Sequence, residues 1–307
     1  MPPVAFFGPS GTFTEEALLS QPDLAAGERT ALASIPDVIA AVERGDHELG
    51  VVPIENSIEG SVSITLDSLV FESDLLIQRE VDLPISLNLF VKPGTTRRDI
   101  TTVLSYPHAI AQCRTWLSKK LPNAEIVAAN STAEAAQRVS RSKKPGQAAI
   151  GNNLAASIYG LKRLAAEIED HPENQTRFVV VGRGIPAPSG HDKTSIVCFQ
   201  RADRPGSLLG MLQEFGARSI NLSKLESRPT KQSLGDYCFL IDFEGHVADE
   251  LVADCLRTLT AKQARVKYLG SYPVAGQAAH VRRTAAGKAW RDASRWVEDL
   301  RTQVRPA

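Results

Sequence analysis

The sequence predicts an α/β protein in two parts: a two-lobed N-terminal α/β domain and a smaller C-terminal βαββαβ domain. Three observations carry this expectation. Up to residue 182, short apolar strands end in polar or Gly-rich turns and pass into helical stretches, the alternation of largely parallel sheets covered on both faces. Residues 182–193 then gather Gly182, Gly184, Pro186, Pro188, Ser189 and Gly190, the composition of a linker. Beyond them the order changes to strand, helix, two strands, helix and strand, a split-βαβ sandwich. With 307 residues, the chain can build a separate core in each part.

Taken in order, the first strand is expected at residues 4–7, followed by the turn Gly8-Pro9-Ser10-Gly11-Thr12 and a helix from Phe13. Strands at 49–54, 103–104, 126–128 and 148–150 run into Glu55-Asn56-Ser57, Ser105-Tyr106-Pro107-His108, Ser131-Thr132 and Gly151-Asn152. In open α/β sheets ligands bind beyond the carboxyl ends of the strands, which is where these polar turns lie. Residues 73–93 break the rhythm as two extended runs, 75–81 and 85–91, divided by Pro84; they read as a crossover between lobes, with a return near Thr176. Two crossings make a hinged cleft. After the linker, strands are expected at 195–200, 220–226, 236–243 and 264–269, with helices at 207–215 and 249–259. Ala286, Trp290, Ala293, Val297, Leu300 and Val304 fall at steps of three and four, an apolar helical stripe that would pack on the protein itself or on a sister subunit. The domains are therefore drawn at 1–182 (second lobe 85–165), 194–272 and a tail at 273–307, with a linker at 183–193.

Composition narrows the classes. Formal net charge is zero, so no global field favours nucleic acid or a membrane surface. The Lys143-Lys144 and Arg282-Arg283 pairs read as solvated surface. The start of the chain lacks a basic segment ahead of its short apolar run, and no window resembles a membrane span, so a cytoplasmic protein is expected. Cys113, Cys198, Cys238 and Cys255 form no CxxC pair and the six histidines no HxxxH pair, so neither a metal nor a redox site is expected.

Each polar turn, read alone, has a structural and a chemical meaning. Ser10, Gly11 and Thr12 open a helix and could hold an anion on its first N–H groups, or simply cap it; no Gly-Lys-Ser/Thr follows, so the turn is not a nucleotide loop. Glu55, Asn56 and Ser57 set an acid, an amide and a hydroxyl at one strand end, as a ligand shell or an Asx turn. Ser105 and Gln112 flank a helix begun by Pro107 and read as groups facing the cleft or as cap and surface. Ser131 and Glu134 fit a capping box, next to which Thr132 could face a ligand. Arg177 at a strand start suits a carboxylate clamp or an edge strand.

The ordered combination is more specific. GPSGTFTEEA, VVPIENSIEGSV, SYPHAIAQC, STAEAA, YGLKRL and NQTRFVVVGR resemble the prephenate dehydratases, and INLSKLESRPTKQSLGDYCFLIDFEGH resembles the ACT domain joined to them. The resemblance spans residues 4–272. It departs at Ser105-Tyr106-Pro107-His108, where the family usually has Ser-His-Pro-Gln. It implies a type II periplasmic-binding-protein-like catalytic domain with a hinged cleft, a ferredoxin-like ACT domain, and a hydro-lyase that needs no cofactor and converts prephenate to phenylpyruvate for phenylalanine synthesis. By that similarity Thr176 is the key catalytic residue, with Glu55 as its proton-passing neighbour. Asn56, Ser105, Gln112, Ser57 and Thr132 orient the substrate, Arg177 and the turn at Ser10, Gly11 and Thr12 hold carboxylates, and Phe178 lies at the site with a packing role. The same resemblance places an L-phenylalanine effector at Gly206, Ser207, Leu208, Leu209, Asn221, Leu222, Glu226, Ser227, Arg228 and Pro229. An ACT-like sheet edge invites pairing, so a homodimer is expected, or a homotetramer if the helix at Trp290–Val304 extends it. The competing readings are an arogenate dehydratase, which runs the same chemistry on the amino analogue, and a non-catalytic amino-acid sensor.

Overall fold

The computed structural model describes residues 2–200, 205–231, 236–263, 265–275, 292, 295–297 and 299–303. By contact the chain forms two compact units, Met1–Ser73 with Val81–Gly182, and Asp74–Glu80 with Arg183–Ala307. Dividing the chain at residue 182 alone would leave Asp74–Glu80 with the wrong partners.

In chain order the first unit contains β1 (Val4–Phe7), α1 (Phe13–Leu19), α2 (Pro22–Ala25), β2 (Arg29–Leu32), α3 (Ile35–Arg44), β3 (Leu49–Asn56), β4 (Gly60–Ser61), α4 (Ser63–Asp67), the part of β5 (Leu76–Pro84) from Val81 onward, and β6 (Asn88–Val91). It continues with β7 (Thr102–Ser105), α5 (Pro107–Ala111), α6 (Arg114–Lys120), β8 (Glu125–Ala128), α7 (Thr132–Arg141), β9 (Gln147–Gly151), α8 (Asn153–Ile158), β10 (Lys162–Ala165) and β11 (Gln175–Gly182). These strands form two sheets, ordered β2-β1-β3-β11-β5, with β4 on β3, and β10-β6-β9-β7-β8.

Neither sheet is largely parallel, as the alternation of elements suggested. The strands joined by helical crossovers are parallel: β1 with β2 and β3, β7 with β8 and β9. Strand β6, which enters the second sheet, runs antiparallel to β9, and β11, which returns to the first, runs antiparallel to β3. Neither is reached by the helical crossover that makes neighbouring strands parallel. The edge strands β2 (RTAL) and β10 (KRLA) carry no apolar run to signal them.

Period-2 alternation divides the core of the second sheet between its faces. Val103, Ala148 and Ile150 pack with Leu89, Cys113 and Leu117, while Leu104 and Ala149 pack with Ala135, Val139 and Ala155. In the first sheet Val4, Phe6, Val51, Phe178 and Val180 pack with Leu18 and Leu24.

The second unit contains β12 (Asp192–Phe199), α9 (Ser207–Gly216), β13 (Leu222–Pro229), β14 (Tyr237–Glu244), α10 (Glu250–Lys262) and β15 (Arg265–Pro273). Its antiparallel sheet is ordered β13-β14-β12-β15. Ile196, Cys198, Ile241 and Phe243 pack against Met211, Phe215, Val252, Cys255 and Leu259 of the two helices. Strand β13 begins after residue 220, later than expected, because the helix exit reaches further. Ser219 takes φ +54° and the Ile220 N–H bonds back to the Phe215 carbonyl at 3.0 Å.

All four cysteines are buried, and burial pushes the Cys198 and Cys255 thiols up to about 12. Among the described residues no His, Cys, Asp and Glu group is placed to hold a metal ion, and no helix is long and apolar enough to cross a membrane. Arg282, Arg283, Ala286, Trp290, Ala293 and Val304 lie outside the described residues, whereas Val297 and Leu300 are helical and exposed.

Candidate active site

The site grows from the pairing of β3 with β11. Register sets Thr176 opposite Asn56 and Arg177 opposite Glu55. Residues directly opposite share a face of the sheet, and successive residues alternate. Asn56 and Thr176 therefore present one face, and Glu55 and Arg177 the other.

On the first face Asn56 is held by its own turn. Its Oδ1 accepts from the Ile58 N–H at 3.0 Å and the Glu59 N–H at 3.1 Å, an Asx-type arrangement. Two main-chain donors on Oδ1 fix the amide's orientation, so Nδ2 must face the other way. Nδ2 donates to the Asn174 Oδ1 at 2.9 Å, the Gln175 carbonyl at 3.2 Å and the Thr176 Oγ1 at 2.8 Å. Thr176 thus accepts from Asn56, and its own hydroxyl proton is left for a different acceptor.

Asn174 is the hub of the cluster and is 2 % exposed. Its Oδ1 also accepts from the Ser57 hydroxyl at 3.1 Å, and its Nδ2 donates to the Gln112 Oε1 at 2.9 Å. Ser57 in turn accepts from the Gln175 N–H at 3.0 Å. Gln112 follows α5 of the second sheet, so this chain of hydrogen bonds joins the two halves of the unit.

A second set of contacts joins the halves at α1. The Asn152 Oδ1 caps α8 through the Ala155 N–H, while its Nδ2 donates to the Glu16 carboxylate at 2.7 Å. The Tyr159 hydroxyl donates to the Ser10 carbonyl at 2.8 Å. Desolvation raises the pKa of Glu16 against the lowering effect of Asn152.

Of the residues singled out from sequence, Asn56, Ser57, Gln112 and Thr176 come together. Several others do not. Glu55 lies on the face opposite Thr176, paired with Arg177 at 3.5 Å, and so is not its neighbour for proton transfer. Arg177 donates two parallel hydrogen bonds to Asp82 of β5, at 2.9 and 3.1 Å, so its fork is engaged within the sheet. Phe178 is 2 % exposed and belongs to the core. The Ser105 hydroxyl is fully buried and donates to the Ile150 carbonyl at 2.8 Å, which ties β7 to β9.

The turn at Ser10 is closed on itself. Thr12 is the N-cap of α1, accepting from the Glu15 N–H and donating to the Phe7 carbonyl. Gly11, at φ +92°, gives its N–H to the Glu15 carboxylate at 2.6 Å, the charge an incoming anion would bring. Thr132 is buried in the first turn of α7, behind its cap Ser131.

A family model for prephenate dehydratase matches residues 4–185. The chain belongs to the prephenate dehydratase family. A curated prephenate dehydratase from Mycolicibacterium vanbaalenii is 44% identical over 316 residues, covering 98% of this chain and 99% of the relative. The crystal structure of a prephenate dehydratase from Arthrobacter aurescens in complex with L-Phe is similar at a TM-score of 0.89 and 39% identity, covering 98% of this chain and 99% of that one. A structure reported as GqqA, a novel type of quorum quenching acylase, is similar at a TM-score of 0.80 and 28% identity, covering 89% and 98%.

Asn174 sits two residues before Thr176 in the NQTRF segment that resembles the prephenate dehydratases, yet sequence reasoning passes over it. The available signal was parity, since residues 174 and 176 fall on one side of an extended chain. Asp82 carried no such signal, because the pairing of β5 with β11 joins segments far apart in the chain.

In the second unit, Gly206 takes φ +85° at the N-cap of α9 and, as a glycine, brings no capping side chain of its own; Ser207 and Leu208 are partly buried and Leu209 is exposed. Asn221 lies at the start of β13, its side-chain amide donating to Glu244 at 2.9 Å and its main-chain carbonyl accepting from the Glu244 N–H at 3.0 Å. That carbonyl is thus already engaged with β14. Along the edge strand β13, Leu222 and Glu226 are partly buried, Ser227 and Pro229 are exposed and Arg228 is buried. Arg228 donates to Glu226 at 2.9 Å.

Proposed function

We propose that the Asn56, Asn174 and Thr176 cluster catalyses the decarboxylating dehydration of prephenate to phenylpyruvate. The observation that carries the reading is the orientation of Asn56. Its amide hydrogen is directed onto Thr176 Oγ1, which turns the threonine hydroxyl into an outward donor. In the reaction the ring carboxylate leaves as carbon dioxide and its bonding pair enters the ring. The opposite C–O bond breaks and the oxygen departs as water after taking one proton. Thr176 donates to that oxygen and recovers its proton from solvent. A threonine hydroxyl is a weak acid, but the ring becomes aromatic in the same step, so a polarised hydrogen bond at the developing charge suffices. Ser57 and Gln112 orient the substrate, while Arg177 with Asp82 holds β11 to β5.

In this reading the two sheets of the first unit form a type II periplasmic-binding-protein-like domain that closes on a small dicarboxylate, and the βαββαβ unit is a ferredoxin-like ACT domain that binds L-phenylalanine. The relative solved with L-Phe supports the effector, and a helix start such as that at Gly206–Leu208 presents N–H groups suited to its carboxylate. A homodimer or homotetramer is the assembly proposed with it.

Thr176→Ala should lower kcat on prephenate by about 10²–10⁴, the scale of positioned acid assistance. Phenylpyruvate formation, followed in alkali, reads this out. Undiminished kcat would overturn the assignment, and wild-type protein that binds but never converts prephenate would make the chain a sensor. Comparing kcat/KM on prephenate and arogenate separates the two dehydratase readings. Titration calorimetry should show L-phenylalanine binding, and no heat at millimolar effector would remove the regulatory half.

A further inference from the structure

We infer that His108 and Glu59 are a positioning pair that holds the Asn56 turn from across the two halves of the first unit; the inference rests on the reading of Asn56 and Thr176 above. His108 stands in the segment where the chain departs from its family. Its Nδ1 lies 2.7 Å from the Glu59 Oε2. Tyr106, the other departure, stacks on the His108 ring at 5.2 Å and 17°, which fixes the ring plane.

The pair is one of two links from the same helix surface. His108 and Gln112 are four residues apart at α5 and its C-cap, so they face the same way. Gln112 reaches Asn174, and His108 reaches Glu59. Both partners bear directly on Asn56. Asn174 accepts from its Nδ2, while the Glu59 N–H donates to its Oδ1. The Glu59 side chain therefore anchors the turn whose main-chain amides set the Asn56 orientation, and with it the Thr176 hydroxyl. Glutamine, the family's usual residue at 108, could still hydrogen-bond to Glu59 but has no ring for Tyr106 to stack on. Tyr106 and His108 thus form a unit in which one ring supports the other.

The test is a cycle of His108→Gln, Glu59→Gln, the double variant, and the exchanged pair Glu59→Lys with His108→Glu, in the full chain. Each single variant should lower kcat about two- to fivefold, the range a half-exposed polar pair can supply, with Tm unchanged. The double variant should be no worse than either single one, and the exchanged pair should recover part of the loss. Hydrogen exchange at the Ile58 and Glu59 amides should quicken in the single variants, a readout that does not depend on the substrate. Losses that add in the double variant, kcat unchanged in both singles, or losses matched by a lower Tm would overturn the inference. Wild-type protein that does not convert prephenate, with amide exchange responding as stated, would fail the functional reading and leave the pair standing.

Discussion

At the scale of single residues, chemistry and structure separate by strand parity. Thr176 and Arg177 are adjacent in the sequence, yet one faces Asn56 and the other faces Glu55 and Asp82. Residue types alone suggested a joint role for all of them; only register shows that they work on opposite faces. Asn174 is the clearest case. Replacing it with leucine keeps the branching at Cγ and removes the hub from Asn56, Ser57 and Gln112, leaving polar groups short of partners. At about 1–3 kcal/mol for such a loss, Asn174→Leu should lower kcat about tenfold with Thr176 intact, and steady-state kinetics checks this. Glu16 gives a pH signature instead. Burial raises its folded pKa above the unfolded value, so the folded state holds its proton to higher pH. Its contribution to stability is complete below the ordinary carboxylate range and is lost as pH rises through the raised folded pKa. Glu16→Gln keeps an oxygen for Asn152 and removes the titration. Its Tm should gain on the wild type as pH rises from 4 to 8 (roughly the span around a carboxylate's ordinary range), and parallel Tm curves would contradict this.

At the scale of elements, legibility follows how local the determinant is. Strands β1, β3, β7 and β9 announce themselves by apolar runs, because central strands are buried on both faces. Edge strands β2 and β10 do not, because their sequence need satisfy only one neighbour. Caps were readable as well: Ser131 before α7 and a Ser/Thr choice before α1, which the structure resolves to Thr12. The parallel or antiparallel sense of β6 and β11 was not, since it depends on where the chain crosses between sheets.

A similar limit applies to Asp74–Glu80, whose partners are remote in sequence. Glu80 and Lys193 form a buried ion pair at 2.8 Å within the second unit, and the Ala275 N–H adds a bond to the same carboxylate at 3.1 Å. Removing the cation alone strands a buried carboxylate, so Lys193→Met should destabilise by about 3–5 kcal/mol. Adding Glu80→Leu should restore much of that, as read by denaturant midpoints; a single variant as stable as the wild type would contradict the account.

At the scale of the whole molecule, the two-part plan was legible because composition changes at residues 182–193 and the order of elements changes with it. The family was legible because several weak motifs occur in a fixed order, each one ordinary alone. What remained hidden was the convergence of Gln112, Asn174 and Asn56, linked in that order by hydrogen bonds that end on Thr176. That convergence is the central claim, and it is tested most directly by comparing kcat on prephenate for wild type, Thr176→Ser and Thr176→Ala in the full chain. The serine variant keeps the hydroxyl that accepts from Asn56 and should stay within about tenfold of wild type, while the alanine variant should fall by about 10²–10⁴. Equal rates for serine and alanine, or an alanine variant as fast as wild type, would contradict it.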